Sequence, residues 1–165
     1  MKTLTLLRHA KTERESPEGD FGRSLTERGR EDSDRVGQKL RELGLQFDLV
    51  LASPARRVVE TLAGVGKLEP IFDERIYNAS SGQLLDIVRA ADDDANSVLL
   101  VGHNPSMERL AAQLTIDDKA GLRGKLIEKF PTAALAEIEL PIEHWRDVAG
   151  GTGRLVRFIR PKDLA

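Results

Sequence analysis

Leu4-Thr5-Leu6-Leu7-Arg8-His9-Ala10 is the stretch on which the fold turns: a short apolar run that stops abruptly at an arginine and a histidine. Leu4 to Leu7 reads as a buried strand. The same grammar recurs twice. Phe47 to Ala52 is apolar and runs into Ser53-Pro54 and then Arg56-Arg57; Ser97 to Val101 runs into Gly102-His103-Asn104-Pro105. Strands that alternate with helical stretches specify an α/β domain with a mostly parallel sheet.

The intervening segments carry the helical period. Val36, Leu40 and Leu43 fall at i, i+4 and i+7 within a helix expected over Thr26 to Leu43, with Gly44 as its stop. Its start has two candidate caps, Ser24 with Glu27 three residues on, and Thr26. Ser53-Pro54 and Asn104-Pro105 each read as an N-cap followed by a first-turn proline; Val58, Leu62 and Val65 carry the first stripe, Met107, Leu110, Ala111 and Leu114 the second. Ser80-x-x-Gln83 is a capping-box pattern, and Pro70 to Phe72 is a short strand. Lys11 to Arg23 is polar and broken by Pro17, Gly19 and Gly22, which predicts a loop. Alternation from Ala134 to Leu140 predicts a half-buried strand. A helical turn within Pro141 to Val148 and a glycine turn lead to a last strand over Arg154 to Arg160.

Composition bounds the chemistry. The chain has 165 residues, 25 of them basic and 27 acidic, for a formal net charge of −2. That length suits one domain, residues 1–165, with a single core. The absence of cysteine removes disulfides, thiolate metal sites, iron–sulfur clusters and cysteine nucleophiles together. Near-neutral charge with interspersed signs argues against a non-specific nucleic-acid binder, leaving room for a local patch. The apolar runs are too short to span a bilayer or to serve as a secretory leader, so no membrane partner is expected and the expected location is cytoplasmic. Asp92-Asp93-Asp94 reads as a solvated turn rather than a metal site, and no metal or other cofactor is expected.

In an open α/β sheet, ligands bind beyond the carboxyl ends of the strands. Arginines, histidines and helix N-termini gathered there describe an anion site, for which a guanidinium fork and phosphate are natural partners. Each residue also has an ordinary reading. A lone histidine at a strand end is more often a hydrogen-bonded core or rim residue than a nucleophile, Arg56-Arg57 alone is a first-turn pair, and Asn104-Pro105 alone is a cap. The joint pattern outweighs these: of three histidines, His9 and His103 both sit at expected strand ends beside arginines. His144, near Trp145, has no such company and reads as structural.

Leu7-Arg8-His9-Ala10 resembles the Arg-His signature of the histidine phosphatase superfamily, to which phosphoglycerate mutases and many acid phosphatases belong. Ser53-Pro54-x-x-Arg57-x-x-x-Thr61 looks like its second signature and Val101-Gly102-His103-Asn104-Pro105 like its third. Within it, the short length, Arg8-His9-Ala10-Lys11, Leu25-Thr26-Glu27-Arg28-Gly29 and the element order resemble the small SixA-type phosphohistidine phosphatases. Ala10 departs from the glycine most common after the histidine, which loosens the match to the mutases. A methyl there is tolerated at negative φ.

The resemblance implies a phosphoglycerate mutase-like three-layer α/β/α sandwich. It also implies that His9 attacks phosphorus and becomes a transient phosphohistidine, while Arg8, Arg57 and His103 hold the phosphoryl oxygens without a metal. Neighbouring guanidiniums would keep His9 neutral, and a backbone carbonyl would fix its tautomer. Lys11 and Asn104 are candidates to border the phosphate. Glu74 falls where larger relatives place a catalytic carboxylate; it reads equally as a general acid or as an exposed loop acid. Imidazole, with a reference pKa of about 6.5, needs less help to leave than an alkoxide does. Only 46 residues separate Arg57 from His103, too few for a cap subdomain, so the expected pocket is open. The expected substrate is a phosphohistidine-bearing protein, such as a phosphotransfer domain, and the expected state is monomeric. A small phosphoester hydrolase on the same site and a non-catalytic phosphoprotein-binding module are the alternatives.

Overall fold

The structure, a computed structural model, describes residues 1–118 and 120–164. Its centre is β1 (Lys2–Arg8), flanked in one mixed sheet by β2 (Leu49–Ala52), β3 (Ile71–Phe72), β4 (Ser97–Gly102), β5 (Leu135–Leu140) and β6 (Arg154–Ile159). The strand order is β3-β2-β4-β1-β5-β6. The first four in this order run parallel, while β5 and β6 are antiparallel to their neighbours.

Helices return the chain between the parallel strands: α1 (Glu27–Leu43), α2 (Arg56–Val65) and α3 (Ser81–Arg89). After β4 come α4 (Ser106–Leu114) and α5 (Leu122–Glu128). The core divides by strand parity, because successive strand side chains point to opposite faces. Leu4, Leu6, Val98 and Leu100 pack with Leu84, Val88, Leu110 and Leu114 of α3 and α4. Leu7, Leu99 and Val101 pack with Val36, Leu40, Val58 and Leu62 of α1 and α2. The result is the expected three layers.

Several boundaries match the sequence signals and some do not. Thr26, not Ser24, caps α1 by accepting from the Gly29 N–H at 3.0 Å, and Gly44 ends it in the left-handed conformation. Ser80 and Gln83 form the capping box on α3. The proline-led helix starts are displaced. Helix α2 begins at Arg56 with Ala55 as its N-cap, and Pro105 itself occupies the N-cap of α4. Neither Ser53 nor Asn104 is the N-cap, because both are drawn into contacts described below. The sequence assigns nothing to Leu122–Glu128. Helix α5 is seven residues long and buries only Leu126, too little to leave a periodic stripe. No helix among the described residues is long and apolar enough to cross a membrane.

Candidate active site

Register brings three strand ends to one level. Arg8, the last residue of β1, is paired with Gly102, the last of β4. The His9 N–H then donates to the Gly102 carbonyl at 3.2 Å, and the Ser53 N–H to the Val101 carbonyl at 3.1 Å. His9 and His103 therefore emerge side by side, with ring centroids 5.4 Å apart. On the other flank, the Ala133 N–H reaches the carbonyls of both Arg8 and His9, at 3.1 and 2.9 Å. Ala133 has φ 60, a conformation costly for a residue with a Cβ, and it lies fully buried directly beside the turn that carries His9.

His9 is 7% exposed. Its Nδ1 lies 2.8 Å from the Ala10 carbonyl, so Nδ1 carries the proton and Nε2 holds the free lone pair. Burial, followed by the nearby His103, Arg57 and Arg8, drives its pKa down to about 3, although the Ala10 bond opposes the shift. The ring is thus neutral at neutral pH, as a nucleophile must be. Thr61 ties this turn to α2. Its hydroxyl accepts from the Ala10 N–H at 3.0 Å and donates to the Arg57 carbonyl at 2.7 Å.

His103 is set from the opposite side. Its Nε2 lies 2.8 Å from the Ser53 hydroxyl, which also accepts from the Ala55 N–H at 3.3 Å. Burial, then Arg57, lowers the His103 pKa to about 4. For a neutral ring, the consistent arrangement has Ser53 donating to Nε2, which leaves Nδ1 as an N–H donor. That Nδ1, the Arg8 Nε and the Arg57 Nε are the three side-chain polar atoms among the described residues that are buried without a hydrogen-bond partner. A buried donor left unpaired costs about 1–3 kcal/mol. Three such donors beside an unprotonated imidazole nitrogen form a cradle for an oxyanion.

The sequence did not flag Asp20 or Tyr77. Asp20 lies in a 3-10 turn, Asp20–Gly22, within the expected loop. Its backbone carbonyl and carboxylate take both Arg57 terminal nitrogens, at 2.8 and 3.2 Å. Its carboxylate also accepts from the Tyr77 hydroxyl at 2.6 Å and from Arg23 at 2.9 Å. These bonds, Tyr77 first, hold Asp20 well below the usual carboxylate range. Tyr77 stands edge-on to His103 with centroids 5.6 Å apart, and the Arg57 guanidinium lies 5.9 Å from its ring. Asp20 and Tyr77 meet across 57 residues of sequence, so no local motif announces them.

The remaining sequence candidates are less central. The Asn104 amide donates to the Phe130 carbonyl at 2.9 Å, its oxygen accepts from the Glu108 N–H at 3.3 Å, and Arg8 reaches that same Phe130 carbonyl at 3.1 Å. Asn104 therefore braces Arg8 through a shared acceptor. Lys11 is exposed and lines a neighbouring cleft. Glu74 is exposed at the start of the 3-10 turn Glu74–Ile76 that leads to Tyr77; among the described residues its carboxylate makes no hydrogen bond or ion pair. His144 Nδ1 lies 2.9 Å from the Asp93 carboxylate, which precedes β4, whereas His103 follows that strand's other end.

The sequence profile of the "Histidine phosphatase superfamily (branch 1)" matches residues 4–91. The chain belongs to the histidine phosphatase superfamily. An uncharacterised protein of Mycobacterium tuberculosis is 33% identical over 159 residues, covering 94% of this chain and all of that one. Among solved structures, a provisionally assigned phosphohistidine phosphatase SixA from Nakamurella multipartitia has a TM-score of 0.86 at 28% identity, covering 97% of this chain and 96% of that one. A second, with the same provisional assignment, from Agrobacterium tumefaciens, has a TM-score of 0.79 at 31% identity, covering 97% and 98%.

The superfamily signatures acquire physical content here. Ser53 orients His103, Arg57 supplies a buried cation, and Thr61 anchors the turn after His9. Ala10, in the place of the usual glycine, is fully buried, and it is not one of the non-glycine residues found at positive φ among the described residues. Its methyl is thus accommodated without backbone strain.

Proposed function

We propose that this chain is a phosphohistidine phosphatase that acts on a phosphorylated protein through a covalent intermediate on His9. The observation that carries this is the set of three unpartnered buried donors, Arg8 Nε, Arg57 Nε and His103 Nδ1, around a histidine whose tautomer frees Nε2. The His9 Nε2 lone pair attacks phosphorus as the substrate's P–N bond breaks; that electron pair goes to the departing ring nitrogen, and a proton on the ring's other nitrogen lets it leave as neutral imidazole. Water then attacks the phosphorus on His9 and gives up its proton to solvent, the P–Nε2 bond breaks with its electron pair returning to His9, and phosphate is released. Arg8, Arg57 and His103 hold the equatorial oxygens in both steps. Asp20 holds the Arg57 guanidinium through both terminal nitrogens, which leaves Nε as its unpartnered donor.

Leaving-group chemistry favours phosphohistidine over an alkyl phosphate. Glu74, the acid singled out from the sequence, is exposed and held by no partner among the described residues. Imidazole departs without strong acid assistance, whereas an alkoxide does not. The pocket is read as uncapped and its cations as sufficient without a metal, so chelation leaves turnover unchanged. The test is a denaturing quench during turnover of a phosphohistidyl protein. An acid-labile, base-stable phosphoryl adduct should appear on wild-type protein and be absent from His9→Ala. An adduct that persists in His9→Ala overturns the mechanism.

A further inference from the structure

A second cationic feature lies on the same end of the sheet, and the chemistry above does not use it. Because β5 and β6 run antiparallel, the start of β5 and the end of β6 lie level with the end of β1: Leu7 pairs with Leu135, and Leu135 with Ile159. The segments continuing from these points enclose a cleft of about 410 Å³. Its basic lining is Lys11, Arg28, Lys125, Lys129, Arg160 and Lys162. Lys11 is two residues beyond the nucleophile, and the cleft's Pro131 and Thr132 adjoin Ala133, which clamps the Arg8 and His9 carbonyls.

The charges in this cleft do not cancel. Arg160 pairs with Asp163 at 3.0 Å. Asp32 is buried and is taken by Arg28 and Arg35, at 3.2 and 3.4 Å. Glu128 is then the remaining lining carboxylate. Lys11, Lys125, Lys129 and Lys162 are exposed, and none makes an ion pair or side-chain hydrogen bond among the described residues. In a chain of net charge −2, four lysines facing one remaining carboxylate in one cleft are a local asymmetry. Proteins use such asymmetry for electrostatic steering and partner choice.

We infer that this cleft docks an acidic segment of the phosphoprotein substrate, beside the catalytic pocket. The inference rests on the phosphohistidine phosphatase reading and adds what the partner must look like: glutamate and aspartate near the phosphohistidine. A compact small anion fits less well, because the cleft has no counterpart of the buried, unpartnered donors found around His9. Its cations are exposed lysines from three segments around a groove, which suits an extended acidic chain. A nucleic acid fits less well too, because among the described residues no aromatic side chain lines the cleft for base stacking.

Two synthetic phosphohistidine peptides, identical except that one carries four glutamates where the other has glutamines, provide the test. Wild-type protein should prefer the acidic peptide about tenfold in kcat/KM at low salt, the sum of several exposed charge pairs each of modest strength. The preference should fall towards unity in 0.5 M salt. It should also fall in Lys125→Glu/Lys129→Glu and, separately, in Lys162→Glu, while turnover of p-nitrophenyl phosphate stays within twofold of wild type and reports an intact site. Equal rates on both peptides in wild type overturn the docking proposal and leave the phosphatase reading standing. An acidic preference that survives in both variants also overturns it, because the charge is then read elsewhere. Pyrophosphate or a single-stranded oligonucleotide bound by wild type and not by the variants would assign the cleft to a different ligand. If p-nitrophenyl phosphate is hydrolysed and neither peptide is, the phosphohistidine reading falls and the docking proposal with it.

Discussion

Two cationic regions share one end of this sheet, and they are built on opposite principles. At the ends of β1, β2 and β4, Arg57 is 6% exposed and His9 7%, and donors are held out of water with nothing to bond. Beyond β5 and β6, the lysines are exposed on loops and on α5. A buried, fixed donor acts in a low effective dielectric and needs no reorganisation when charge develops on a bound group. A solvated ammonium is screened within about 8 Å at physiological ionic strength. The first region is therefore suited to chemistry and the second to encounter. Removing one group from the first should cost orders of magnitude in rate, whereas changing the second should cost a salt-sensitive factor.

The largest effect should be at His9. His9→Ala removes the attacking nitrogen and should lower turnover by at least about 10⁴-fold, in keeping with the loss when a nucleophile is deleted from a site whose electrostatics survive. Single-turnover assays with excess enzyme would expose a residual fast step. A loss of less than tenfold would show that the buried region is not where the chemistry occurs.

Next come the adjacent arginines, which divide the two principles within one helical turn. Arg57 is buried against Asp20, whereas Arg56 is exposed. Arg57→Ala should lose about 10²- to 10³-fold in kcat, the usual consequence of removing one preorganised donor. Arg56→Ala should lose less than about threefold, as expected for a solvated charge. Steady-state kinetics on one substrate suffices, and equal losses would erase the distinction between buried and exposed cations.

This pair also shows what the sequence could and could not reveal. Arg57 was separable from Arg56 only by the register of the superfamily's second signature, which Ser53-Pro54-x-x-Arg57-x-x-x-Thr61 resembles. The structure gives that register a physical basis, since Ser53 bonds the Ala55 N–H just before α2 and Thr61 bonds the Arg57 carbonyl within it. Arg8, His9 and His103 were legible for a similar reason, since each ends an apolar strand that has a clear pattern. Asp20 and Tyr77 were not, because their bond joins a loop to a distant 3-10 turn and neither segment has a periodic signature. Ser53 and Asn104 misled the placement of helix starts. Each accepts a backbone N–H near its helix, from Ala55 and Glu108 respectively, but each side chain also serves the site, at His103 and at Phe130, and the helices begin one or more residues later than expected. The basic cleft was invisible as a unit. Its lysines come from three separate segments, and only the antiparallel β5 and β6 bring those segments level with β1.

A smaller effect is expected at Glu74, which is exposed yet sits on the turn that leads to Tyr77. Glu74→Gln should leave kcat on a phosphohistidine peptide within twofold and reduce it about tenfold on an alkyl phosphate. That is below the 10²- to 10⁴-fold of a well-held general acid, because no partner among the described residues positions this carboxylate. Equal losses on both substrates would indicate either a general acid for every leaving group or a structural part in the turn that carries Tyr77.

The smallest effect per unit change is on stability against pH, and it follows from the burial that keeps His9 neutral. The folded pKa of His9 is depressed to about 3, whereas an unfolded chain offers a histidine near 6.5. Between these values the unfolded state binds the extra proton, so folding stability rises with pH across this window. The contribution is complete above about pH 6.5 and is lost progressively as the pH falls towards 3. For one histidine the slope cannot exceed about 1.4 kcal/mol per pH unit. Urea unfolding of wild type and His9→Gln at pH 7, 6 and 5 measures the difference, since glutamine removes the titration and keeps a polar side chain. The variant should lose stability less steeply than wild type between pH 6 and pH 5. Parallel slopes would mean that His9 accepts a proton in the folded protein as readily as in the unfolded chain. The imidazole would then be solvated like the cleft lysines, and the physical basis for separating the two cationic regions would be gone.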